Sequence, residues 1–202
     1  MHRLFVILVE TVAALPVIIP LGLVWLKISG YNRSRGILVL VFLTFLTGVF
    51  AATGIPSLYS LGLEQDFSLI PLAGVVYSIE QFFLNILLFL PLGILLPLIW
   101  GRFKDWKVTV LYGLFLSTFI ELTQMFNFRS SDIDDIIANT LGAALGFLAV
   151  KFLAAKTSLS LARDDNAGVA FPLEAYVLTL LSFLVMFFVQ PFIANLIWSF
   201  LA

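Results

Sequence analysis

A chain of 202 residues that is 61% hydrophobic and only 11% charged, with a mean hydropathy of +1.10, is not a water-soluble domain, in which charged residues run near ~25%. A net charge of −1 supplies no basic surface for nucleic acid, and no such partner is expected. With no cysteine and one histidine, His2, the sequence offers no disulfide, thiolate, haem or histidine-zinc chemistry, and it identifies no cofactor.

Six stretches approach the roughly 20 apolar residues that a spanning helix needs: Leu4 to Leu26, Ile37 to Ile55, Phe82 to Trp100, Val108 to Phe126, Ile133 to Phe152 and Ala175 to Ile197. The expected fold is all-α: a polytopic membrane protein, one transmembrane domain over residues 1–202, built as a bundle of six transmembrane helices. The first run is too long for a secretory h-region of ~7–15 residues, so it is expected to stay attached. Lys27, Arg33, Arg35, Arg102, Lys104, Lys107, Lys151, Lys156 and Arg163 all fall in the three loops on one face, whereas only Arg3 and Arg129 fall opposite. Because Lys and Arg are retained in the cytoplasm, both termini are expected outside. Trp25, Trp100, Trp106 and Tyr176 then lie near the inner interface, and Tyr59, Tyr77 and Trp198 near the outer one.

The apolar sequence from Leu69 to Trp100 is longer than one span requires. Leu69, Leu72, Val76 and Ile79 recur at helical spacing beside Ser78, Glu80 and Gln81, which predicts a short interfacial helix over Leu69 to Glu80, before the third span. Pro16, Pro20, Pro91, Pro97 and Pro191 are read as helix kinks. Glu10 is expected to be neutralised or paired within the bundle, and Gln190 and Asn195 to hydrogen-bond between helices.

Polar residues are segregated by depth. At ~1.5 Å per residue, Glu10, Asn85, Glu121, Gln124, Asn139 and Gln190 all fall in the outer half. The inner half holds mainly hydroxyls, Thr109, Ser117, Thr118, Thr179 and Ser182, which can bond the preceding helical turn. On the fourth helix Gly113, Ser117, Glu121 and Gln124 form one stripe, and on the fifth Asp135, Asn139, Gly142 and Gly146 form another. Gly142 and Gly146 make a small-xxx-small pair that admits a close neighbour.

Between these helices runs Phe126-Asn-Phe-Arg-Ser-Ser-Asp-Ile-Asp-Asp135, the densest charge cluster in the chain. Ser131 or Asp132 can cap the fifth helix, and Asp134 and Asp135 suit its positive end. Capping accounts for one acid or two. It leaves unexplained why Arg129 stands beside three acids, with Glu121 and Gln124 just beneath. The stronger reading is an outward-facing polar pocket in which Arg129 engages an anionic group and the carboxylates take a cation, a sugar or an amine.

The run from Asn85 through Pro91, Gly93 and Pro97, then Ser117-Thr-Phe-Ile-Glu121-Leu-Thr-Gln124, Arg129-Ser-Ser-Asp132-Ile-Asp134-Asp135 and Asn139-Thr-Leu-Gly142-Ala-Ala-Leu-Gly146, resembles the VanZ-like family of bacterial membrane proteins. The resemblance covers residues 37–153 and is strongest over 82–152, leaving 1–36 and 154–202 as additional helices and loops. It departs from the family pattern at Ser68 and Leu72, where Asn and Phe are common. The resemblance implies a bacterial cytoplasmic membrane protein, related to one linked with low-level teicoplanin resistance, and it supplies a fold and an address rather than a reaction. Its recurring polar positions are Asn85, Glu121, Gln124, Arg129, Asp132, Asp134, Asp135 and Asn139, the set that depth and spacing select.

Three functions compete. The first is a non-enzymatic envelope protein that binds membrane lipids through a head group, or a lipoglycopeptide or lipid-linked envelope molecule. The second is an intramembrane enzyme on lipid-phosphate or polyprenyl-linked substrates, with Asp132, Asp134 and Asp135 holding a divalent cation and Arg129 steadying phosphate. The third is a transporter or partner subunit, which the absence of a convincing internal repeat disfavours.

Overall fold

Each apolar run becomes a helix in the computed structural model, which describes residues 3–59, 61–62, 67–68, 79–127, 131–157, 159, 161–162 and 173–201. The helices are α1 (Arg3–Ser29), α2 (Arg33–Thr53), α3 (Ile79–Ile99), α4 (Trp106–Gln124), α5 (Ile133–Lys156) and α6 (Glu174–Leu201), the last containing a π turn at Val185–Val189. All but α4 are long and apolar enough to cross a membrane, as expected of a multi-pass membrane protein. The 19 residues of α4 include Lys107, Glu121 and Gln124, which lower its apolar content. The expected interfacial helix lies outside the described residues, except that Ile79 and Glu80 form the first turn of α3.

The chain divides into two compact units: residues 1–61 with 167–202, and residues 62–166. In the first unit α1 and α2 form a hairpin whose turn is set by two local devices. Gly30 takes φ 65°, a conformation that costs glycine little, and its N–H reaches the Leu26 carbonyl at 3.1 Å. Two residues on, the Asn32 side chain accepts from the Arg35 N–H at 2.9 Å and so starts α2. Gly22 lets the helices approach, since a methyl there would meet Leu40 at 2.6 Å and Leu43 at 2.9 Å. The buried face of α2, with Val39, Phe42, Leu43, Leu46 and Phe50, follows helical spacing.

α6 completes this unit with three polar ties. Gln190 donates to the Glu10 side chain, so Glu10 is paired and Gln190 bonds between helices, as expected. Proline has no N–H, so Pro191 leaves the Phe187 carbonyl without a helical donor, and the Leu58 N–H takes that place at 3.1 Å. The π turn ends where the Gln190 N–H bonds the Val185 carbonyl. At the start of α6, Glu174 is 1% exposed and accepts from Trp25 Nε1 at 2.7 Å and from the Tyr31 hydroxyl.

The second unit is α3, α4 and α5. α3 and α5 touch backbone to backbone along Gly93, Gly142 and Gly146: a methyl on Gly93 would meet the Ala143 carbonyl, on Gly142 that of Ile86, and on Gly146 that of Leu90. α4 closes against α5 where Gly113 faces Ala143. A 3₁₀ turn, Gly101–Lys104, joins α3 to α4, and Asp105 caps α4 by accepting from the Lys107 N–H at 2.9 Å. Packing inside is by Phe89, Leu92, Leu96, Tyr112, Leu116, Ile120 and Phe147. Outside, α5 shows solvent or lipid a stripe of Ile137, Leu141, Leu145, Leu148 and Phe152, while Asp134, Ala138, Asn139, Gly142, Ala143 and Gly146 face inward. That arrangement inverts the pattern of a soluble helix.

One feature of the second unit is not helical. Phe67–Ser68 and Ser131–Asp132 pair as a two-residue parallel ladder, with Phe67 opposite Ser131 and Ser68 opposite Asp132, and Gly62 bridges Asn127. The ladder ties the chain before α3 to the loop before α5.

Candidate functional site

Of the polar positions selected from sequence, the described ones lie at one end of the second unit, where α3 begins, α4 ends and α5 begins. Asp132 adopts φ −121°, ψ 125°, and its side chain accepts from the Asp134 N–H at 2.9 Å, so Asp132 rather than Ser131 caps α5. The backbone N–H of Asp132 in turn donates to Glu121 Oε2 at 3.0 Å. Glu121 is only 5% exposed, and it ties the last turn of α4 to the first of α5.

The third helix joins through Asn85, whose Nδ2 donates to Asp135 Oδ1 at 2.5 Å, while Gln81 Nε2 donates to Asn85 Oδ1 at 3.2 Å. One turn further along α5, the Asn139 amide donates to Ser117 Oγ on α4 at 2.9 Å. Asn139 is 2% exposed, and its Oδ1 has no hydrogen-bond partner among the described residues. Gln124 and Asp134 are also buried, and Asp132 and Asp135 are half-buried. Thus Asn85 with Asp135, Glu121 with Asp132 and Asn139 with Ser117 are joined in pairs across three helices. Arg129 lies outside the described residues.

Several roles differ from those expected. Ser117 does not satisfy itself on the preceding turn. Its oxygen receives the Asn139 amide instead, because an inward-facing hydroxyl opposite a buried amide has a better partner than a backbone carbonyl already in use. Thr179 does bond its preceding turn, at the Ala175 carbonyl, whereas Thr109 reaches Phe103 in the 3₁₀ turn and Ser182 Oγ has no partner among the described residues. Sequence reasoning treated Gln81 as interfacial and passed over Glu174. An acid opening an apolar run, with Trp25 and Tyr31 at the facing helix end, was the available signal.

Chemically the cluster is dominated by acceptors. Ionised carboxylates only accept, and those of α5 stand at a helix N-terminus, whose partial positive charge favours them. Among the described residues no three histidine or acidic side chains gather closely enough to share a metal ion. Asp132 is turned to its own helix, Asp135 to α3 and Glu121 to the α4–α5 junction. An apolar recess of about 310 Å³ also lies on α4, lined by Leu111, Leu114, Phe115, Thr118, Phe119 and Leu122, on a different face from Glu121.

Neither a curated protein nor a solved structure matches the chain significantly. The family model described as VanZ/LLP1 matches residues 34–154, more than half of the chain and all of α3, α4 and α5 up to Ala154. This protein belongs to the VanZ/LLP1 family.

Proposed function

We propose that the protein is a non-enzymatic envelope protein that binds the polar head group of a membrane amphiphile, an envelope lipid or a teicoplanin-type lipoglycopeptide, at the cluster of Asn85, Glu121, Gln124, Arg129, Asp132, Asp134, Asp135 and Asn139. The observation that carries this reading is the set of direct bonds Asn85–Asp135, Asp132–Glu121 and Asn139–Ser117, which draw polar groups of three helices together while the outer stripe of α5 stays apolar. Ionisable groups at membrane depth cost roughly 2.5–3.5 kcal/mol each on insertion scales, so a protein that gathers several of them gains from a ligand that uses them. In this reading α4 spans with the other five helices, the nine-residue basic set faces the bacterial cytoplasm, and the cluster opens outward, toward the leaflet where such amphiphiles are met.

The test is binding of fluorescent teicoplanin and of acyl-labelled envelope lipids to the purified chain, compared with Glu121→Gln and Arg129→Ala. Weaker binding by both variants is expected. Equal binding by all three proteins refutes the site.

A further inference from the structure

We infer that the recess on α4 holds one acyl chain of an anionic phospholipid, whose head group is met by Lys107 and the basic turn before it. The proposal shares with the reading above only that α4 crosses the membrane, and its head group lies at the opposite end of α4 from the acidic cluster. The recess encloses about 310 Å³ and runs from Leu111 to Leu122, with Thr118 the only polar residue among its walls. At ~1.5 Å per residue it is about 16 Å long, close to half of the ~30 Å hydrocarbon core and so the depth of one leaflet. Its rings are held from within: Phe115 and Phe119 stack with centroids 6.2 Å apart, and Phe115 rests 6.1 Å from the fully buried Tyr112, which meets Phe103 edge-on at 5.4 Å. A concave surface braced in this way keeps its shape whether or not a chain lies in it, so binding costs little reordering.

Charge selects the head group. Lys107, Leu111, Leu114 and Thr118 follow spacings of four, three and four, so an exposed lysine shares the face of the recess one helical turn before it begins. A helical side chain leans toward the N-terminus of its helix, so Lys107 reaches away from the apolar walls and toward the bilayer surface. Arg102 and Lys104 precede it in the 3₁₀ turn. The acid among them, Asp105, caps α4 on the Lys107 backbone N–H. Three cations against one acid give this end of α4 a positive sign. Trp106, 57% exposed beside Lys107, is the residue type that settles at head-group depth. A zwitterionic head group brings a further cation among these side chains, whereas a singly anionic one such as phosphatidylglycerol brings an uncompensated negative charge.

The experiment uses the full chain in dodecyl maltoside micelles with phosphatidylglycerol and phosphatidylcholine that carry the same mid-chain diazirine. After illumination the adducts are mapped by peptide mass spectrometry. Phosphatidylglycerol is expected to label residues 111–122 at least about fivefold more than phosphatidylcholine does. Lys107→Gln is expected to lower the phosphatidylglycerol yield about fivefold and to leave the phosphatidylcholine yield unchanged. Thr118→Trp, which fills the recess, is expected to remove labelling of this stretch by both lipids. The wild-type pair decides the matter even where a variant does not fold. Equal labelling by the two lipids, no labelling of residues 111–122, or labelling of the exposed stripe of α5 as strong as that of α4 overturns the proposal and leaves the head-group site at the other end standing. Labelling that persists in a folded Thr118→Trp protein, or a lipid preference unchanged by Lys107→Gln, overturns it as well.

Discussion

Adding one methyl group to Gly146 and the same methyl to Gly48 is expected to move stability in opposite directions. At Gly146 the new Cβ would fall on the Leu90 carbonyl oxygen, 3.0 Å from the carbonyl carbon and 3.1 Å from Gly93 Cα. All three are backbone atoms and cannot rotate away. Restoring ordinary carbon contacts of ~3.5 Å or more requires α3 and α5 to part by on the order of 1 Å, which loosens the interface along Gly93, Gly142 and Gly146 together. Overpacking of this kind costs about 1–3 kcal/mol, partly offset by the ~1 kcal/mol that alanine gains over glycine within a helix. At Gly48, in the interior of α2, the nearest atom is Thr11 Oγ1 at 4.0 Å, so only the propensity gain of ~1 kcal/mol remains. Gly146→Ala should therefore fall below Gly48→Ala by about 1–3 kcal/mol in unfolding by dodecyl sulfate in mixed micelles, followed by circular dichroism. If Gly146→Ala equals or exceeds Gly48→Ala, the backbone contact of α3 and α5 is wrong.

Asp132→Ala removes the cap of α5 and should cost about 0.5–2 kcal/mol, with faster hydrogen exchange at the Asp134 amide and recovery in Asp132→Asn; unchanged exchange would contradict the cap. Glu10→Leu and Gln190→Leu should be coupled in a double-mutant cycle by about 0.6–1.7 kcal/mol, and strict additivity would show that the pair contributes nothing. Because the chain has no cysteine, single replacements can report topology: Asn127→Cys should react with a membrane-impermeant maleimide on intact cells and Lys104→Cys only after lysis. The opposite pattern would place the acidic cluster in the cytoplasm.

Hydropathy alone located the six described helices, because a long apolar run in lipid has no other way to satisfy its backbone, although α4 is less apolar than the other five. Three- and four-residue spacing also showed which sides of α4 and α5 turn inward, so Glu121, Asn139, Gly142 and Gly146 were legible before any coordinates. Spacing reports a face and not a partner. Hence the bond from Asn85 to Asp135, fifty residues apart, and those from Trp25 and Tyr31 to Glu174 had no local signature. The short parallel ladder was equally hidden, since two residues set no period. The same limit concealed the role of Ser117, whose nearest sequence neighbours offered a backbone acceptor while its actual partner stood on another helix.

The stapling of Leu58 to the Phe187 carbonyl has a consequence for biosynthesis. The N-terminal hairpin leaves the ribosome long before α6 does, and every residue of α3, α4 and α5 is made in between. Its Glu10 and its Leu58 N–H therefore meet water, lipid or the translocation machinery until Gln190 and Phe187 are translated. The contiguous three-helix unit in the middle has no such wait, so it can mature first while the flanking unit remains a client of whatever holds nascent helices in the membrane.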